Sequence, residues 1–182
     1  LTVTGVQRCD LPILVKLALS LSCFLEAAGT TQASIFGTLT NTTASPQTAT
    51  YTVTPIGPNC TGTNFTVTVT VNPKPAVTAM AASACSAVAF TVTPVNVTNG
   101  TVPAGTTYSW AAPVVTGGLT GGAAGATQAN INGTLTNPTN TNQTATYTVT
   151  PVYSGCTGAN FTVTMTINPK ATIAATRSES TR

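Results

Sequence analysis

From Phe65 to Val71 the chain alternates Phe65, Val67, Val69 and Val71 with Thr66, Thr68 and Thr70, the period-two pattern of a strand with one buried and one solvated face. Phe161, Val163, Met165 and Ile167 repeat that alternation. Upstream, Tyr51 and Val53 alternate with Thr50, Thr52 and Thr54, and the Gly, Pro, Asn and Cys residues in between supply turn chemistry. The pattern therefore predicts a β-hairpin in each place. Proline has no amide hydrogen and a fixed φ, so Pro73 and Pro169 mark where the last strand leaves its sheet.

The two hairpins lie within a longer repeat. Residues 27–74 align without a gap on 123–170 at a constant offset of 96, with about 34 of 48 positions identical, so the chain divides into a first domain (1–75), a second (76–170) and a C-terminal tail (171–182). Strands are expected at 33–39, 48–55 and 64–72 in the first domain. In the second they are expected at 87–94, 106–112, 128–135, 144–151 and 160–168. The glycine-rich stretch 116–125 is expected to connect strands, and the prolines of 73–75 to make a short, stiff linker. Six or seven short strands with turn signals between them describe an all-β chain of tandem immunoglobulin-like sandwiches.

Residues 11–25, LPILVKLALSLSCFL, break this texture. Fifteen residues containing Lys16 fall short of the roughly 20 that a membrane span needs. A signal-peptide core, a shifted reading frame or a junction with foreign sequence would each account for the break, but the reading adopted is a buried strand or helix of the first domain. The first domain also has 26 residues ahead of the matched segment where the second has 47. The difference is enough for two strands. Two expectations follow. A terminal segment of another copy, 11–25 or 170–176, completes the first sandwich and builds a head-to-tail fibre; or the chain belongs to a longer array and the apolar run fills its own domain.

Composition narrows the function. Threonine makes up about 23% of the chain, only 5% of residues are charged, and the net charge is +3. Such richness in Thr, Gly, Ser and Asn suits disorder, but 42% hydrophobic residues in strict alternation can bury a core. The few Lys and Arg form no cluster, which excludes a nucleic-acid footprint. Between residues 27 and 169 Lys74 is the only charged residue and there is no His, so neither an acid–base pair nor an activated nucleophile can be assembled there and no enzyme is expected. Clustered carboxylates for calcium are absent, the five cysteines have no zinc-ligand spacing, and the glycine stretch lacks the Lys-Ser/Thr ending of a P-loop; no cofactor is expected. The cysteines read as disulfides, which places the chain in an oxidising, extracellular setting. Asn41, Asn59, Asn64, Asn96, Asn99, Asn132, Asn142 and Asn160 each head an N-x-S/T triplet, which matters only in a host with the glycosylation machinery. Trp110 with Tyr108 is the one candidate sugar-stacking platform, against the reading that both fill the core.

In combination, YTVTP, then NCTG or GCTG, then NFTVTVTVNPKP, with a Cys ahead of an apolar strand and TYSW in the second copy, resemble the PKD-like, immunoglobulin-type repeats of large Bacteroidetes surface proteins. The resemblance covers about 95 residues of the second repeat and the last 48 or so of the first, the size of such a domain. It implies seven-stranded sandwiches used in tandem as an extracellular spacer, adhesive stalk or fibre on the cell surface. It also implies a Cys85–Cys156 disulfide, with Cys60 paired to Cys9 or Cys23. Partners would be further copies, neighbouring repeats or surface glycans, and the rival function is a carbohydrate-binding module.

Overall fold

The structure, a computed structural model, describes residues 12–14, 36–54 and 62–171. Among them every regular element is a strand. In chain order these are β1 (Pro12–Leu14), β2 (Phe36–Thr38), β3 (Gln47–Val53), β4 (Phe65–Val71), β5 (Ala76–Val77), β6 (Met80–Cys85), β7 (Ala89–Val92), β8 (Gly100–Thr101), β9 (Thr107–Trp110), β10 (Val114–Val115), β11 (Thr120–Gly121), β12 (Gly125–Gln128), β13 (Ile131–Thr136), β14 (Gln143–Tyr153), β15 (Cys156–Thr157) and β16 (Phe161–Asn168). The strands expected from alternation all form among the described residues, with ends displaced by no more than three residues. No helix among the described residues is long and apolar enough to cross a membrane.

Two compact units are present, and they cut across the sequence repeats. One comprises Leu1–Thr78, Pro94–Thr107 and Thr150–Asn160; the other Ala79–Thr93, Tyr108–Val149 and Phe161–Arg182.

The second unit is built around one long hairpin. β14 and β16 pair antiparallel over seven residues, from Gln143 opposite Ile167 to Val149 opposite Phe161, and this register puts Ala145, Tyr147, Val149, Val163, Met165 and Ile167 on one face, each fully buried. The threonines between them point the other way, as the period of two requires. β6 lies parallel to β16, Met80 opposite Val163 and Cys85 opposite Asn168. A second, three-stranded sheet has the order β11-β13-β7. Alternation did not mark β6 as a strand, because Met-Ala-Ala-Ser-Ala-Cys is low in β-branched and aromatic residues and gains its strand state from the β16 edge. The glycine-rich connection is ordered: β11 pairs with β13, and Gly121 at φ 89° passes so close to Thr134 that a Cβ would lie 2.4 Å from its carbonyl oxygen.

The first unit contains the other copy of the hairpin. β3 and β4 pair antiparallel in the corresponding register, Gln47 opposite Val71 to Val53 opposite Phe65, and form a two-stranded sheet. Its apolar face gathers Leu39, Ala49, Val53, Val67 and Val69 around Tyr51. Part of the anomalous apolar run is a strand in this repeat. β1 pairs antiparallel with β2, Pro12 opposite Thr38, and β7 pairs with β13 in the same manner, Ala89 opposite Thr134. Thr38 and Thr134 are equivalent at the offset of 96, so Pro12–Leu14 takes the place of β7. The rest of 15–25 and the tail beyond 171 lie outside the described residues.

Identical residues are buried to different depths in the two hairpins. Phe161 is 5% exposed and its counterpart Phe65 46%. Val163 is inaccessible while Val67 is half-buried. Truncating a fully buried valine removes its transfer free energy and leaves a cavity, so Val163→Ala should cost about 2–3 kcal/mol and Val67→Ala about 1 kcal/mol in chemical denaturation. Equal costs would mean that the two faces are equally filled.

Candidate functional site

The candidate sugar platform is interior. Tyr108 is 2% and Trp110 6% exposed, because β9 alternates inward at both positions. Trp110 packs edge-on to Tyr147, with ring centroids 6.5 Å apart and planes at 88°, and Tyr108 edge-on to Phe161 at 6.2 Å and 81°. Such geometry sets the positive edge of one ring against the negative face of another. The indole N–H donates to the Ala123 carbonyl at 3.2 Å, and Gly125 lies against the ring so closely that a Cβ would come within 2.3 Å of it. Neither face of Trp110 is left for a ligand.

The Cys85–Cys156 bond expected from the resemblance is not formed. Cys85 is a free, exposed thiol, whereas Cys156 is fully buried and disulfide-bonded. A sulfur makes one such bond, so the two cannot be joined. Register gives the reason: Cys85 faces Asn168 at the far end of β16, seven residues of strand, about 23 Å, from the end where the chain enters at Phe161, and a disulfide needs Cα atoms within about 7 Å. Cys9, Cys23 and Cys60 lie outside the described residues.

What the polar side chains do is hold backbone. The Asn137 amide donates to the carbonyls of Thr141 and Ile167 at 2.8 and 2.9 Å, while its oxygen accepts from the Thr139 N–H and hydroxyl. Asn41 makes the corresponding four bonds, to Ser45, Val71 and Thr43. One asparagine thus ties a turn to the last strand in each repeat, a device the sequence hid because Asn41 reads as a glycosylation triplet. Its amide nitrogen is already used twice, which leaves that triplet to structure. A threonine–asparagine pair also recurs across each hairpin end, Thr54 to Asn64 at 2.7 Å and Thr150 to Asn160 at 2.8 Å.

No group of three or more metal-ligating side chains occurs among the described residues. Burial pushes the hydroxyl pKa of Tyr51, Tyr108 and Tyr147 above its ordinary value, and the Tyr147 hydroxyl has no hydrogen-bond partner. An open cavity of about 350 Å³ lies in the first unit where the repeats join, lined by Asn41, Thr42, Lys74, Pro75, Thr101 and Ala159 among others. It has the shape of a crevice beside the linker, whose Pro73 and Pro75 are themselves fully buried. Pro75 is held by close approach: a Cβ on Gly158 would meet its carbonyl oxygen at 2.2 Å.

Comparison with protein families gives a PKD-like domain, matched over residues 25–75 and again over 82–171. The chain belongs to the PKD-like domain family. No curated protein matches it. The two matches fall on the two repeats, and the PKD-like architecture accords with the all-β structure and its immunoglobulin-like sandwiches.

Three outcomes are expected here. An alkylating reagent should modify Cys85 in the native protein and Cys156 only after reduction; peptide mapping that finds Cys156 labelled without reductant contradicts the assignment. Tyr147→Phe should be neutral or stabilising by up to about 1 kcal/mol, since it removes a buried hydroxyl without a partner, and a loss above that in thermal melts would reveal a hidden hydrogen bond. The folded-state pKa of these tyrosines is raised, so the stability they give is complete below their unfolded pKa of about 10 and lost as pH rises through the folded value. With no histidine, and Lys74 and Lys170 the only charged residues in the two aligned copies, unfolding free energy should be flat from about pH 5 to 9 and fall above 10.

Proposed function

We propose that this PKD-like protein is a non-catalytic, extracellular structural repeat, part of a cell-surface stalk or fibre that spaces or presents adhesive modules. The observation that carries the reading is the use of the polar side chains: Asn41 and Asn137 are spent on backbone carbonyls and amides, the Thr54–Asn64 and Thr150–Asn160 side chains bond each other across the hairpin ends, and the described cores are hydrocarbon and aromatic. PKD-like domains are generally non-catalytic and typical of extracellular proteins, in line with this role. With 5% of residues charged and about 23% threonine, the surface relies on hydroxyls more than on charges that salt would screen. A carbohydrate-binding module is disfavoured, since Tyr108 and Trp110 serve the core.

Glycan-array binding with Trp110 fluorescence as a second readout tests this reading. A spacer gives no saturable signal and a blue, ligand-insensitive emission; a saturable glycan that shifts the emission contradicts it.

A further inference from the structure

Cys156 is disulfide-bonded and Cys85 is a free thiol. The chain has five cysteines, so the sulfur joined to Cys156 belongs to Cys9, Cys23 or Cys60. All three precede the proline linker, whereas Cys156 lies in the second repeat. The bond therefore runs from one sequence repeat to the other, and both of its ends fall in the unit that takes in Leu1–Thr78 and Thr150–Asn160.

We infer that the partner of Cys156 is Cys9, so that a disulfide ties the chain entering the first repeat to the turn at the end of the second repeat's long hairpin. This goes beyond the structural role proposed above and does not depend on it. β1 and β2 are antiparallel with Pro12 opposite Thr38, so the chain ahead of Pro12 enters from the side to which the chain after Thr38 leads. Asn41 lies on that side, bound to the Val71 carbonyl at 2.9 Å. The second repeat shows what occupies the corresponding place. Pro12 corresponds to Ala89, and three residues before Ala89 stands Ser86, whose amide donates to the Asn168 carbonyl and whose hydroxyl accepts from the Asn137 N–H, both at 2.9 Å. Asn137 and Asn168 are the counterparts of Asn41 and Asn72 at the offset of 96. Cys9 stands three residues before Pro12, in the place of Ser86, and three residues reach about 10 Å.

Cys156 comes to the same corner. Gly158 lies so close to Pro75 that a Cβ would collide with the Pro75 carbonyl oxygen, and Ala159 lines the crevice together with Asn41, Lys74 and Pro75. Cys156 is two residues, about 7 Å, from Gly158. The Cα separation below about 7 Å that a disulfide needs is thus within reach of Cys9. The other two cysteines are worse placed. Cys60 belongs to the connection between Val53 and Phe65, which Thr54 and Asn64 close at 2.7 Å, and β4 then carries the chain about 20 Å from Phe65 to Val71. Cys23 follows Leu14, which faces Phe36 at the end of β1 away from Asn41.

The bond forms by thiol–disulfide exchange with a protein or small-molecule disulfide as the oxidant. The thiolate of one cysteine attacks that disulfide and releases one of its sulfurs, and the thiolate of the second cysteine displaces the other. Two protons and two electrons pass to the oxidant, which leaves as two thiols.

Mass spectrometry of the full chain, purified without reductant, alkylated in denaturant and cut with trypsin and chymotrypsin, tests the pairing. The expected product is CDLPILVK (9–16) joined to SGCTGANF (154–161), a single ion that reduction splits into two. Cys156 joined instead to 52–65, which carries Cys60, or to 17–24, which carries Cys23, would overturn the inference, as would Cys156 recovered in alkylated form before reduction.

Discussion

The antiparallel pairing of the two strands that end each repeat is the constraint on which the rest depends. Seven consecutive residue pairs, in β3–β4 and again in β14–β16, fix which face is hydrocarbon and which is threonine. A slip of one residue would turn every Thr inward. The other elements answer to that face. β9 sets Tyr108 and Trp110 against Phe161 and Tyr147, and the asparagine latch ties the preceding turn to the carbonyl of the last core residue, Ile167 in one repeat and Val71 in the other. In a chain with so few charges, hydrogen bonds to backbone take the part that ion pairs play elsewhere.

Much of this architecture was legible because it is periodic. The alternation around Tyr51, Val67, Tyr147 and Val163 located the hairpins, and the offset of 96 located the repeats. What escaped is what periodicity does not encode. The strand Met80–Cys85 is composed of small residues and forms by parallel pairing to β16. The apolar run gave no sign that Pro12–Leu14 would replace Ala89–Val92 in register, since a proline at the start of a strand is compatible with either reading. The role of Asn137 was hidden because its four partners are three turn groups and one distant carbonyl, a combination set by three-dimensional closure.

Cysteine and tryptophan mark the limit of reasoning from resemblance. A family's disulfide presumes that the two sulfurs lie at the same end of the sandwich, and Cys85 sits at the end of β16 marked by Asn168, where its side chain is exposed. The aromatic pair, in contrast, follows from strand parity alone: Tyr108 and Trp110 are two apart, so they share a face, and the core has room for both because Gly125 and Gly133 leave space beside the rings of Trp110 and Phe90. The aromatic side chains that the sequence offers as a ligand platform are thus packing groups.

The central claim is that one sequence motif is held to different depths in its two settings, fully buried in the second repeat and half-buried in the first. Native-state hydrogen exchange of the intact protein reads this directly, because amides of a core hairpin open only with the whole unit. The account predicts that amides of β14 and β16 exchange by global unfolding while those of β3 and β4, at low protein concentration, exchange by local opening at least about a hundredfold faster. Equal protection of the two hairpins under those conditions would contradict it.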